Sequence, residues 1–403
     1  MYAKNLMNKI ILILFLIENF IGINFFVNNY IEGIPKSYIC LSSKIPTFKC
    51  LNDEMIDIQN YINFVFNGTL VDSNQKYYPT ENPKISIIIS IYNGEAYLKT
   101  AILSIQNQDM KDIEIVIVDD HSKDNSIKLI KEIMLSEPRI VLYRNDENRG
   151  ALYTKSRGVL SSKGKYVLLL DEDDLYIQRE AFSTLYDEAE RNNLDILKFK
   201  SISSEPKLKR IKHNRLNIDY PIIYQPNVSE LMFSHNSKGE IEFTEGILTN
   251  CLIKKDILIK AINQIDDKYM KQNIYILDDN FIFYLLTKTA NSYKFIDRFF
   301  YFIVSGWNKI NKNTKFRDDE KKKSILLKRC TNLLNFIEFI LNKTENTYYD
   351  KQIAFFSFNT WYLKDKCKNF INTKEMAKNI SKLYIDNEYI RKEDKRTLQD
   401  FFK

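Results

Sequence analysis

The spacing of hydrophobic residues changes repeatedly between Lys84 and Phe199, from short unbroken runs to helical stripes and back. Ile85-Ser86-Ile87-Ile88-Ile89-Ser90-Ile91, bounded by Pro83 and Asn93-Gly94, is a β-branched run that predicts a buried strand. Residues 95–108 follow with Tyr97, Leu98, Ala101, Ile102 and Ile105 on one helical stripe. The same alternation predicts strands at 113–118, 140–143, 166–170 and 194–199, with helices at 125–134, 150–161 and 180–192 between them. Strands alternating with helices of ten to fifteen residues imply βαβ units, hence an α/β fold with a mostly parallel sheet flanked by helices. Such sheets bind ligands beyond the carboxyl ends of their strands. Polar clusters stand at three of those ends: Ser90 to Asn93, Asp119-Asp120, and Asp171-Glu172-Asp173-Asp174. The pattern therefore predicts three strand ends meeting at one crevice.

The flanks read differently. Lys4 and Lys9 precede an apolar stretch from Ile10 to Val27, interrupted by Glu18. A basic start followed by a short apolar run points to a signal peptide or signal anchor over residues 1–27. It predicts an N-terminal hydrophobic helix and a body in the secretory lumen, either membrane-anchored as a type II protein or secreted. Residues 28–82 show no strong period and read as a stem, within which Cys40 and Cys50 could close a small loop. Residues 306–403 are rich in Lys and Asn. A helix is expected from Lys321 onward, with the aromatic stretch 355–363 packing against the body.

Composition narrows the function classes. The chain has 59 basic and 52 acidic residues, a net charge of +7, too mild for a nucleic-acid binder. Three His, and five Cys without a CxxC, give no basis for a structural zinc site. The four adjacent acids at 171–174 repel one another unless a cation joins them. Oxygen ligands suit Mg²⁺ or Mn²⁺, which bind through one or two carboxylates plus substrate phosphates. No Walker A and no GxGxxG motif is present. A metal bridging a nucleotide's diphosphate is the chemistry these acids favour.

Several blocks occur in a fixed order: 85–93 with Glu95, Ser104-Ile105 with Gln108, and Asp119-Asp120 with Ser122 and Asp124. Asn148 with Gly150, Arg157-Gly158, Gly164 with Tyr166, and Leu170-Asp171 with Asp173-Asp174 follow. Together they resemble glycosyltransferase family 2, of the GT-A fold. The resemblance implies a domain over 83–305, with a nucleotide-sugar half at 83–205, an acceptor half at 206–305 and a C-terminal helical extension. It places Ser90, Tyr92, Asn93 and Glu95 in the donor-binding loop after the first strand. Asp120 matches the acid that holds a uracil imide, and Arg157 a basic position lining the donor site. Asp171-Glu172-Asp173 matches the DxD element, with Asp173 on the metal and the other two toward the ribose. Two departures stand out: Ser90 replaces a usual Pro, and His121 a common Gly.

Downstream, Asp278-Asp279 followed by Ile282 fits the family's acidic pair at the start of a helix, with Asp278 in place of Glu. The resemblance makes this pair catalytic, with Asp279 as the base for the acceptor hydroxyl. It implies an inverting, metal-dependent hexosyltransferase that uses a nucleotide sugar, a UDP-sugar by the Asp120 match. The acceptor would be a glycan, lipid or protein. Two rival readings share parts of this pattern: a non-catalytic nucleotide-sugar-binding scaffold, and a nucleotidyltransferase. The second would need a Gly- and Arg-rich triphosphate loop near the first strand, where only Gly94 stands.

Overall fold

The computed structural model describes residues 76–204, 211–213, 221–235, 241–243, 246–304 and 319–342, with isolated positions at 62, 65, 350, 353, 354, 357, 375, 377 and 378. The expected N-terminal helix, almost all of the stem, the Cys40–Cys50 pair and nearly all of the 355–363 stretch lie outside the described residues. Among the described residues no helix is long and apolar enough to cross a membrane.

The chain divides into two compact units. The described part of the smaller is an antiparallel pair, β9 (Phe233–His235) with β10 (Ile241–Phe243). All else described below belongs to the larger unit. Its sheet starts from four parallel strands in the order β3, β2, β1, β4. These are β1 (Ile85–Ile91), β2 (Ile113–Asp119), β3 (Ile140–Arg144) and β4 (Tyr166–Asp171). Between them run α1 (Leu98–Gln106), α2 (Ser126–Met134) and α3 (Ala151–Ser161). The runs in β1, β2 and β4 are buried on both faces, which is why they read as continuous apolar segments. Each fully buried Ile there contributes roughly 1.5–3 kcal/mol.

Helix α1 begins three residues later than the stripe predicts. The Gly94 carbonyl takes the amides of Tyr97 and Leu98 in a preceding turn, and the Glu95 side chain is drawn across to Asn125. After β4 come β5 (Leu175–Tyr176), α4 (Ala181–Arg191) and β6 (Ile196–Ser204). Strand β6 runs past its expected end because it pairs in parallel with β12 (Ser292–Ile303). Strand β11 (Cys251–Lys254) lies antiparallel between β4 and β6. The sheet is thus mostly parallel, as the pattern predicts. It also has antiparallel members at β5 and β11 and in the short strands β7 (Ile211–His213) and β8 (Ile223–Tyr224).

The second half adds α5 (Lys255–Ile262), α6 (Asp267–Met270) and α7 (Asp278–Thr289). Helix α8 (Asp319–Leu341) follows β12. It packs onto α6 and α7 through aromatic rings: Phe281 stands 5.2 Å from Phe336 and 5.1 Å from Phe339, and Tyr269 5.3 Å from Phe339.

Register positions the strand ends. Ser90 pairs with Asp171 across β1 and β4, and Ile91 pairs with Asp119 across β1 and β2. Two of the acid clusters and the Ser90 loop therefore leave the sheet at one level.

Candidate active site

At the end of β2 the chain turns through His121, whose φ of 64° is left-handed. Gly adopts such a backbone without strain, whereas His121 adopts it here as an L-residue. Asp119 is fully buried and structural: it pairs with Arg144 at 3.1 Å and accepts the Ser122 amide. Asp120 takes three bonds of 2.8 Å. Its Oδ1 accepts from Asn145 Nδ2 and the Arg149 amide, and its Oδ2 accepts from the Gly150 amide. The carboxylate thus fixes the loop that opens α3. Its Oδ2 keeps lone-pair capacity for a further donor. Arg157 donates to Asn145 Oδ1 at 2.6 Å and to the Arg144 carbonyl. It stands behind Asp120, not on the cleft wall.

The loop after β1 divides in two. Ser90 and Tyr92 line the cleft. Asn93 and Glu95 do not; they tie this loop to the next one. The Asn93 amide donates to Ser122 Oγ at 2.9 Å, and Asn93 Oδ1 accepts the Lys123 amide at 2.7 Å. Glu95 accepts from the Asn125 amide and from its Nδ2.

The acids after β4 also separate by role. Asp171, Glu172 and Asp173 line the cleft. Asp174 is buried, accepting from the Tyr301 hydroxyl at 2.9 Å and the Val304 amide at 3.0 Å. Burial, then the charges of Asp171 and Asp173, pushes its carboxyl well up. Among the described residues no group of three His, Cys, Asp or Glu is arranged as a metal site. Mg²⁺ is commonly held by one or two carboxylates together with phosphate oxygens, and Asp173 lines the cleft.

Lys155 of α3 joins the two halves of the domain. Its Nζ donates to Asp279 Oδ1 at 2.8 Å. It lies 2.8 Å from Asp278 Oδ2, an ion pair off the line of a hydrogen bond, and 3.4 Å from Asp171 Oδ1. Burial would lower the ammonium's pKa, but Asp171, Asp278 and Asp279 outweigh it and hold it well above the ordinary value. The acids sit at the N-terminus of α7, after Leu277 in left-handed backbone at φ 65°. Burial pushes Asp278 up to about 6; Lys155 opposes this, and Asp279 and Asp171 add to it. Asp279 Oδ2 accepts the Leu248 amide at 3.3 Å. Asp278 and Asp279 stand behind Lys155, off the cleft wall itself.

These elements enclose a cleft of about 600 Å³. Its far wall holds residues the sequence pattern did not single out: Asn273, Tyr275, Ile325 and Lys328, the last two from α8. Lys155 was missed as well. Its signal was a Lys among the apolar positions of the α3 stripe, where a buried charge demands partners.

The model of the family described as "Glycosyl transferase family 2" matches residues 86–261. An uncharacterized glycosyltransferase of Haemophilus influenzae is 39% identical over 92 residues, covering 23% of this chain and 37% of that protein. The cholesterol galactosyltransferase of Borreliella burgdorferi is 25% identical over 278 residues, covering 68% of this chain and 74% of that protein. The chain spans only 37% of the length of the first curated relatives it matches. Among solved structures, S. aureus TarS residues 1–349 in complex with UDP-GlcNAc aligns with a TM-score of 0.54 at 16% identity, covering 79% of this chain and 88% of that one. At that identity the likeness establishes the fold alone, and the fold is the expected GT-A.

Proposed function

We propose, from the match of residues 86–261 to the family described as "Glycosyl transferase family 2", that this chain belongs to that family and transfers a sugar from a UDP-sugar to an acceptor hydroxyl with inversion. One observation carries the reading. Lys155 ties Asp171, on the cleft wall, to Asp278 and Asp279 at the start of α7. A donor-side acid and two candidate bases thereby share one buried cation. A scaffold that only bound nucleotide would gain nothing from this costly cluster.

In this reading the nucleobase sits by Ser90, Tyr92 and Asp120, and Asp120 accepts the imide N–H. Asp173 would hold Mg²⁺ or Mn²⁺, which would supply positive charge to neutralise the leaving diphosphate. Asp279 takes the proton of the acceptor hydroxyl, whose oxygen attacks the anomeric carbon from the face opposite the diphosphate. Lys155 holds Asp279 in place through the 2.8 Å bond to Oδ1, so positioning supplies much of the rate. A second reading gives the proton to Asp278, because its carboxyl is pushed up to about 6, near the ideal for a base at neutral pH. UDP-GlcNAc bound to TarS and the sugar and lipid acceptor named for the Borreliella relative support a nucleotide-sugar donor and a glycan or lipid acceptor. The basic-then-apolar start of the chain supports attachment at a membrane.

The test is a panel of UDP- and GDP-sugars, each with and without Mn²⁺, read as donor hydrolysis and as transfer. UDP-sugar turnover that needs the metal and vanishes in Asp173→Ala is expected. Binding of UDP without any turnover, in wild type and variants alike, would favour the scaffold and sink the proposal.

A further inference from the structure

The cleft is lined by four carboxylates, Asp120, Asp171, Glu172 and Asp173, and among the described residues lining it Lys328 is the one cation. Lys155 cannot offset them for a ligand, since three carboxylates already share its ammonium. A phosphate group entering this space meets a wall of like charge, which a divalent metal on Asp173 would offset only in part. We infer that Lys328, on a helix beyond the segment the family model covers, is the phosphate-binding side chain of this cleft. The inference rests on the proposed sugar-nucleotide reading.

The geometry favours this role over that of a solvated helix lysine. The Lys328 ammonium lies 5.4 Å from the centre of the Tyr275 ring, which is itself part of the cleft wall. A ring face steers an ammonium without neutralising it or using up its three N–H donors. Ile325, one helical turn earlier, lines the same cleft, so this face of α8 is its wall. The helix is also held in place. Asn335 donates to Gln272, and Lys268 pairs with Glu338 at 3.0 Å. The Phe336 and Phe339 rings pack on Phe281. The charge is therefore presented from a fixed element.

The phosphate could belong to the donor or to the acceptor, and two binding arms separate them. The first measures UDP and uridine affinity, by equilibrium dialysis, for the full chain and for Lys328→Ala and Lys328→Arg. Loss of one charge-assisted contact should weaken UDP about tenfold in the Ala variant, with uridine unchanged and Arg near wild type. The second titrates inorganic phosphate into UDP-saturated protein. A loss confined to this arm assigns the residue to an acceptor phosphate. Lys328 is exposed, so the melting temperature should hold in both variants and serves as the folding control. Unchanged affinity of Lys328→Ala in both arms overturns the inference. Should wild type bind neither UDP nor uridine, the donor reading is what has failed, and phosphate titration alone decides Lys328.

Discussion

Arg157 reaches Asp120 only through Asn145. Its guanidinium donates to Asn145 Oδ1 at 2.6 Å, and Asn145 Nδ2 donates to Asp120 Oδ1 at 2.8 Å. The amide is thereby locked in one orientation, its oxygen toward Arg157 and its nitrogen toward the carboxylate. Removing Arg157 frees the amide to turn without removing any group from the cleft. Arg157→Ala should therefore weaken uridine binding modestly, about threefold to tenfold, an amount matching one hydrogen bond of about 1 kcal/mol. Asn145→Ala removes the donor itself and should cost more. A larger loss in Arg157→Ala than in Asn145→Ala, measured by equilibrium dialysis, would mean that Arg157 touches the nucleotide directly.

Lys155→Ala leaves Asp171, Asp278 and Asp279 facing one another without their shared cation. Breaking a buried pair on one side costs about 3–5 kcal/mol. The Asp171 side chain keeps 39% exposure, so water recovers part of its share and the low end is expected. Transfer should fall by more than a hundredfold while uridine binding stays intact, because the base pocket does not involve Lys155. Lys155→Arg should restore stability better than activity. A denaturant melt paired with turnover separates the two effects.

Gly150 is held in two ways. Its φ of 85° is left-handed, and a Cβ there would stand 2.7 Å from the Ile274 backbone. The loop is pinned between Asp120, which takes the Gly150 amide, and Ile274, whose carbonyl accepts the Leu152 amide at 3.0 Å. Gly150→Ala should destabilise the domain by about 1–3 kcal/mol and lower uridine affinity, since the shift displaces the Gly150 amide, one of the three donors that hold Asp120. A thermal melt with and without UDP checks both, and a fully wild-type melt would show that the loop yields freely.

How far the sequence carried depended on how local each feature is. The β1, β2 and β4 runs were legible because parallel strands buried on both faces leave an unbroken apolar signature. Their convergence followed from topology, and the Ser90–Asp171 register bears it out. What the pattern missed is side-chain direction. Asn93, Glu95 and Arg157 share the motif with Ser90 and Asp120, yet they bond to neighbouring loops because their backbone turns them away from the cleft. Position in a motif does not encode which way a residue faces. The far wall was hidden for another reason. Tyr275 and Lys328 are 53 residues apart in sequence and meet only because the rings of α6, α7 and α8 pack together. Nothing in the period of α8 says which protein surface it will cover.

The acidic pair at the start of α7 makes the pH dependence decisive. Burial pushes the Asp278 carboxyl up to about 6, against an ordinary 3.8. The folded state therefore holds this proton more tightly than the unfolded chain. Its contribution to stability is fully present below about pH 4 and is lost as the pH rises through 6. Activity should run the other way if Asp278 is the base, because only the ionised form can accept a proton. The profile of kcat/KM would then climb tenfold per pH unit below about 6 and level above it. Asp278→Asn would remove that limb along with most of the activity. If Asp279 is the base, Asp278→Asn keeps measurable turnover and Asp279→Asn abolishes it. In Lys155→Ala the opposing charge is gone, so Asp278 should titrate higher still, and any residual limb should move up. A limb that stays put in that variant would show that the group it reports does not touch Lys155, and would exclude both carboxylates as the base.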